Sequence, residues 1–346
     1  MAFQSAAGYN NLPNGNFSPT IYSKKVQLQF RKSSVAQAIT NTDYFGEIAN
    51  YGDSVRILKE PEIIVREYAR GTQVTPQDLI DDDFTLIVDR SNYFAFKVDD
   101  IEEKHSHVDW EDLASDRAAY RMRDKFDRDI LGYIAGYEYN EGTGLWTART
   151  TPVGTKAEST ADNDELLASM KLTAADWGGA ATDSIAMGTS GTYVATPLQI
   201  LNRMNRKLDQ LNVDKEGRWI VVDPVFMEKL MDENSKFMDH DYQMTEALAN
   251  GKLGSKKVRG FEIFESNNLP VIGTGPDTPD TDGSNANYGV VIAGHKSAVA
   301  TAEQITKTES YRDPDSFADI VRGMHVYGRK ILRPEGLVRA WYNINA

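Results

Sequence analysis

Cysteine is absent from the 346-residue chain, which excludes disulfides, thiol nucleophiles and cysteine-bound metals together. Long apolar runs are absent too. Nothing approaches the roughly 18 residues a membrane-spanning helix requires, and the opening MAFQSAAGYNNLPNGNFSP lacks the charged-then-apolar order of a secretory signal. A soluble protein made in the cytoplasm is expected, with no membrane partner. Basic excess is also missing: the formal net charge is −13, whereas a dedicated nucleic-acid binder carries a basic stripe to meet phosphates. Short basic clusters occur at Lys24 and Lys25, Arg31 and Lys32, Arg203 with Arg206 and Lys207, and Lys252 with Lys256, Lys257 and Arg259. Each reads first as a solvated or ion-paired face, and second as a weak contact with a polyanion or an acidic neighbouring subunit.

Catalytic signatures are equally scarce. There is no P-loop, no GxSxG, no HExxH and no GxGxxG following a strand. His105 and His107 stand two apart beside Asp109 and Glu111, a spacing that suits a metal on a strand. They fall where a strand gives way to a helix, with no third histidine nearby, so a hinge or helix cap is the simpler role. Asp239-His240-Asp241 looks like a charge-relay fragment without a nucleophile, hence a surface loop. Asp99, Asp100, Glu102 and Glu103 resemble carboxylates for acid–base work or calcium, yet at a hairpin exit they suit ion pairing with a neighbour. No catalytic, cofactor or metal residue is assigned, and no enzyme activity is expected.

What is present is a long amphipathic helix. From His107 to about Tyr137, Ala119, Met122, Phe126, Ile130, Tyr133 and Tyr137 recur at steps of three and four, while Arg121, Arg123, Asp124, Lys125, Asp127 and Arg128 cover the remainder as a wet face. Asp124 with Arg128, Arg123 with Asp127 and Lys125 with Asp129 are spaced to pair. Gly136 offers a stop, and Gly132 weakens the helix by about 1 kcal/mol against alanine.

Around this helix the chain falls into stretches. Residues 1–50 are rich in Asn, Gly, Pro and Ser with one short alternating piece, an arm suited to lying across a partner. Residues 51–103 change to period two: SVRILK and EIIVREY going out, DFTLIVD and YFAFKVD returning, a long two-stranded hairpin with its tip around residues 69–83. Its arms are apolar well outward, so something else must cover them. Residues 140–195 are polar, with one short helix expected at DNDELLASM. Thr196 then caps a helix with Pro197 at its first position and Leu201, Met204, Leu208 and Leu211 on one face. Arg218-Trp-Ile-Val-Val is a buried strand, Asp223-Pro224 starts another helix, and late strands close the chain.

The order flexible arm, long hairpin, long charged helix, α/β domain and returning strands resembles the major capsid proteins of tailed bacteriophages, the Hong Kong 97-type fold. GDSVRILKEPEIIVREYARG and FAFKVDDIE look like the projecting loop and its return, DWEDLASDRAAYRMRDKFDRDIL like the spine helix, and RWIVVDPVFMEKLM with AGHKSAVATAEQ like the axial domain. The resemblance implies an α+β chain divided into an N-terminal arm (1–50), an extended hairpin loop (51–103), the spine helix with part of a peripheral domain (104–195), an axial domain (196–305) and return strands to the peripheral domain (306–346). It implies a structural protein that self-assembles into pentamers and hexamers of an icosahedral head around double-stranded DNA, which it contacts without sequence specificity. A portal protein and a possible decoration protein are further implied partners, and the virion shell, assembled in the host cytoplasm, is the location. Only about twenty polar residues precede the arm, so a separate scaffolding protein is expected, and nothing marks a covalent crosslink. The expected subunit interface comprises Arg70, Gly71, Asp81, Asp82 and Asp83 at the hairpin tip, with Lys24 and Lys25 in the arm. An encapsulin-like compartment shares the fold and is the alternative reading; a carboxylate-dependent hydrolase is the remote one.

Overall fold

The computed structural model describes residues 34–43, 54–58, 63–71, 73, 76–78, 83–99, 110–149, 166–180, 184–188, 194–231, 258–272, 288–314 and 316–344. Its centre is β9 (Arg218–Val222), buried along its whole length. Trp219 and Val221 point into one hydrophobic cluster, Ile220 and Val222 into the other. A strand covered on both faces reads as a continuous apolar run, as Trp219 to Val222 do.

Beside β9 lie β10 (Glu262–Glu265), parallel to it, and β12 (Tyr288–His295), antiparallel; β12 in turn pairs with β15 (Leu337–Ile344). The two-residue strands β6 (Lys171–Leu172) and β8 (Val194–Ala195), with β7 (Ile185–Met187) and β11 (Val271–Ile272), complete eight strands among the described residues. The polar stretch 140–195 is therefore more than connection. Leu172, Ile185, Met187 and Ala195 all enter the core. Of the expected DNDELLASM helix only Ala168–Met170 forms a single 3-10 turn, and residues 162–165 lie outside the described residues.

Two helices cover one face of this sheet. In α3 (Pro197–Gln210), Thr196 accepts from the Gln199 amide, Gln199 answers the Thr196 amide, and Pro197 occupies the first position. Leu201, Met204 and Leu208 are buried as the spacing implies, while Leu211 ends the helix largely exposed. In α4 (Pro224–Leu230), Asp223 is the cap.

The opposite face packs against the long helix α2 (Trp110–Ala135), whose 26 residues span about 39 Å. Along the apolar stripe burial begins at Phe126 and continues through Ile130, Leu131, Tyr133, Ile134 and Ala135; Ala119 is exposed and Met122 half-buried. Gly136, at φ 82°, ends the helix. Gly132 is not merely a weakness: a β-carbon there would lie 2.5 Å from the Trp146 ring. That ring belongs to the hairpin of β4 (Tyr137–Asn140) and β5 (Leu145–Ala148), folded back against the helix.

From Phe126 to Tyr133, α2 also packs against a second sheet. Strands β13 (Val299–Arg312) and β14 (Ala318–Ile331) form a long hairpin, and β3 (Arg90–Asp99) adds antiparallel to β14, from Arg90 opposite Tyr327 to Asp99 opposite Ala318. YFAFKVD is thus an edge strand of this sheet, not the return arm of the hairpin. Among the described residues the hairpin pairs only β1 (Ser54–Leu58) with β2 (Asp83–Ile87), Leu58 opposite Asp83. EIIVREY is not a strand arm either; its described residues 63–68 are irregular and exposed. The pair is fastened where Leu86 and Val88 meet Ala302 and Val326, with Ile57 packed alongside.

Two residues assigned to the wet face of α2 are buried. Asp124 and Asp127 lie under residues 34–36 and the turn at 266–268. Of the expected pairs, Asp124–Arg128 forms at 3.3 Å. Lys125 reaches Glu141 at 3.1 Å, and Asp129 takes the hydroxyl of Tyr327 and the guanidinium of Arg329.

Candidate assembly surfaces

Two surfaces expose apolar side chains that the described chain does not cover. The first is residues 63–71, beyond the β1–β2 pair. Val65 is 93% exposed, and Ile63, Ile64 and Tyr68 are largely so. The Ile64 amide donates to the Gln77 side-chain carbonyl at 3.0 Å, tying the outgoing limb to the returning one. The segment turns at Arg70 and Gly71, the latter at φ 94°, a conformation glycine adopts without penalty.

The second is the part of the β13–β14–β3 sheet, on the face turned away from α2, that lies beyond the cover Leu86 and Val88 give to Ala302 and Val326. The inner face carries Phe94, Phe96, His325 and Tyr327, with Phe126 of α2 edge-on to Tyr327 at 4.9 Å between ring centroids. On the outer face Tyr93, opposite Met324, is 82% exposed, and Phe317 in the β13–β14 turn is 79% exposed. Charges beside them are already matched. Arg322 bonds Glu309 at 2.8 Å while lying over the Tyr311 ring, and Lys97 meets Asp313 at 2.6 Å.

Of the residues singled out for contact, Arg70 and Gly71 sit together at the exposed turn. Asp83 sits back at the first position of β2, away from that turn. Asp81, Asp82, Lys24 and Lys25 lie outside the described residues, as do His105, His107, His240, Asp100, Glu102 and Glu103. In the basic cluster on α3, Arg203 donates to the Asp176 carbonyl and Lys207 to the Ser169 carbonyl, so both tie the helix to the preceding turn. His295 bonds the Glu216 carbonyl and the Ser297 hydroxyl, and His325 packs between Phe126 and Tyr327 near Glu303. Among the described residues no group of three metal-ligating side chains forms.

The sequence matches the family model described as phage capsid protein over residues 59–340. The chain belongs to the phage capsid protein family. It is a major capsid protein, a structural component of the virion shell. No curated sequence gives a significant match. Solved phage structures share its fold. One from Mycobacterium phage Che8 is 24% identical with a TM-score of 0.66, covering 95% of this chain and 97% of the other. The capsid of cyanophage P-SCSP1u is 20% identical at 0.66 over the full length of both. That of Ralstonia phage GP4 is 14% identical at 0.62 over 98% of each.

Among the described residues of this capsid protein, Arg70 and Gly71 of the expected interface lie open, and so do Ile63, Ile64, Val65, Tyr93 and Phe317, apolar side chains that it did not include. The available signal was apolar residues in a stretch with no alternating polar partner. The opposite misreading befell Asp127, a charged residue on a charged helix whose burial depends on distant parts of the chain.

Proposed function

We propose that copies of this chain assemble into pentamers and hexamers of an icosahedral head enclosing double-stranded DNA, with residues 63–71 of each subunit lying on a neighbour. The observation that carries this is the exposed run Ile63, Ile64, Val65 and Tyr68. Each such side chain gains about 1.5–3 kcal/mol on burial, and repetition around a closed symmetric assembly multiplies modest contacts. Arg70 and Gly71 at the turn belong to the same contact. Lys24, Lys25, Asp81, Asp82 and Asp83 join it through charge pairing with the neighbour.

The eight-stranded sheet with α3 and α4 serves as the axial unit, and α2 with the β13–β14–β3 sheet as the peripheral one. A separate scaffolding protein directs assembly, a portal occupies one vertex, and a decoration protein has the outer sheet face as its natural seat. The acidic chain holds DNA without gripping it, since strong non-specific affinity would oppose packing and release. The role is structural, without catalysis.

Negative-stain electron microscopy with light scattering, on protein expressed with and without its neighbouring genes, tests this reading. Closed shells of uniform diameter are expected. Monomers or small oligomers under every condition would overturn it, and shells holding a protein cargo with no nucleic acid would favour the encapsulin-like reading.

A further inference from the structure

Asp127 is fully buried within α2, and its carboxylate is shared among donors from two distant parts of the chain. One oxygen accepts from the backbone amides of Val35 and Ala36, both at 2.8 Å, and from the Ser34 hydroxyl at 3.2 Å. The other accepts from the Asn268 side-chain amide at 3.0 Å and the Ser266 hydroxyl at 3.5 Å. Asn268 also donates to Asp124 at 2.9 Å, so a single amide bridges two buried carboxylates. Among the described residues no lysine or arginine pairs with Asp127; hydrogen-bond donors alone stabilise the group, with the cost of burying a carboxylate met by their number.

The segment so held is the base of the N-terminal arm. Val35, Ala36 and Ile39 pack into the core beside α2. Its far end is stitched to β13: Asn41 donates to the Val299 carbonyl at 2.8 Å, Thr301 donates back to Asn41 at 3.0 Å, and the hydroxyls of Thr40 and Thr301 meet at 3.0 Å. The clasp is therefore intramolecular, formed without any neighbouring subunit.

We propose that Asp127 is the positioning residue that fixes where the N-terminal arm leaves the capsid subunit. Residues 34–41 are clamped across α2 and β13, so the chain ahead of Ser34 starts from a fixed point on the subunit. The shell-level part of this inference rests on the assembly reading above; the clasp does not. Substitution by asparagine is nearly isosteric but mismatched. Turned one way, its NH₂ faces the Val35 and Ala36 amides; turned the other, it faces the NH₂ of Asn268. Either orientation sets donor against donor in a buried site.

Hydrogen exchange read by mass spectrometry on the unassembled full-length subunit tests it. In Asp127→Asn the amides of residues 35–41 should exchange at least about tenfold faster while those of residues 126–135 stay protected, and shell yield from the same preparation should fall. Unchanged exchange at residues 35–41 overturns the proposal. So does a uniform rise throughout α2, which would mark Asp127 as a general support of the fold. Should the variant be insoluble, the wild type decides: Val35 and Ala36 must be protected like Ile130, and exchange at the rate of an open chain refutes the clasp. Failure of shells with the clasp intact would count against the assembly reading alone.

Discussion

The hydroxyl of Tyr342, in the last strand, donates to the carboxylate of Asp223, which also accepts from the Phe226 amide as the cap of α4. One buried acid thus joins the final strand of the central sheet to the helix covering it. Burial pushes the Asp223 carboxyl up to about 6, against hydrogen bonds from Tyr342 and Phe226 that pull it down.

A pH dependence follows with a definite sign. Between its ordinary value of 3.8 and about 6 the folded subunit retains a proton that the unfolded chain has released. Stability from this group is therefore full below about pH 4 and declines as pH rises through about 6, a penalty of up to about 3 kcal/mol at neutrality. Asp223→Asn keeps a capping oxygen and an N–H for the phenol, without the charge. Thermal melts of unassembled subunits should show the variant more stable than wild type at pH 7, with the difference closing toward pH 4. A constant difference at every pH would place the effect elsewhere.

Gly132→Ala is expected to destabilise, against helix propensity. Alanine is normally favoured over glycine inside a helix by about 1 kcal/mol. Here the added methyl would meet the Trp146 ring at 2.5 Å and the Tyr137 carbonyl oxygen at 2.9 Å. Forcing atoms into a filled site costs about 1–3 kcal/mol, so the thermal midpoint should fall. A rise would mean the β4–β5 hairpin yields freely.

Phe126→Asp should abolish soluble folding. The ring is buried and edge-on to both Tyr327 and His325, where α2 meets the β13–β14–β3 sheet. A carboxylate there adds several kcal/mol of uncompensated desolvation to the lost packing. Soluble yield on expression is the measurement, and wild-type yield would show the stripe to be misassigned.

Local chemistry made some of this legible in advance. Thr196 and Pro197 announce α3 because a cap and its partner lie three residues apart, and Gly136 announces the end of α2 in the same way. Strand partners are another matter. The alternation of Phe94, Phe96 and Val98 says strand, but nothing in it names β14, more than two hundred residues onward. Strands as short as Lys171–Leu172 and Val194–Ala195 have no period to read. Asp127 was opaque for the same reason: its donors come from residues 34–36 and 266–268, so a local pattern of charges could only suggest solvent. The family was legible because the order of elements is itself long-range information.

The exposed run at residues 63–68 separates folding from assembly. Val65 and Tyr68 are mostly exposed in the subunit, so Val65→Asp with Tyr68→Ser should leave the stability of the unassembled protein, read from thermal melts, within about 0.5 kcal/mol of wild type. If these side chains sit on a neighbour, the same pair of changes removes two apolar contacts from every subunit and places a charge in each, an effect repeated around the closed shell. Closed particles should then be lost from electron micrographs while scattering reports intact smaller species. Unfolded subunits would contradict the exposure of this segment, and normal shells would show that the neighbour's contact lies elsewhere, with the outer face around Tyr93 and Met324 as the next surface to change.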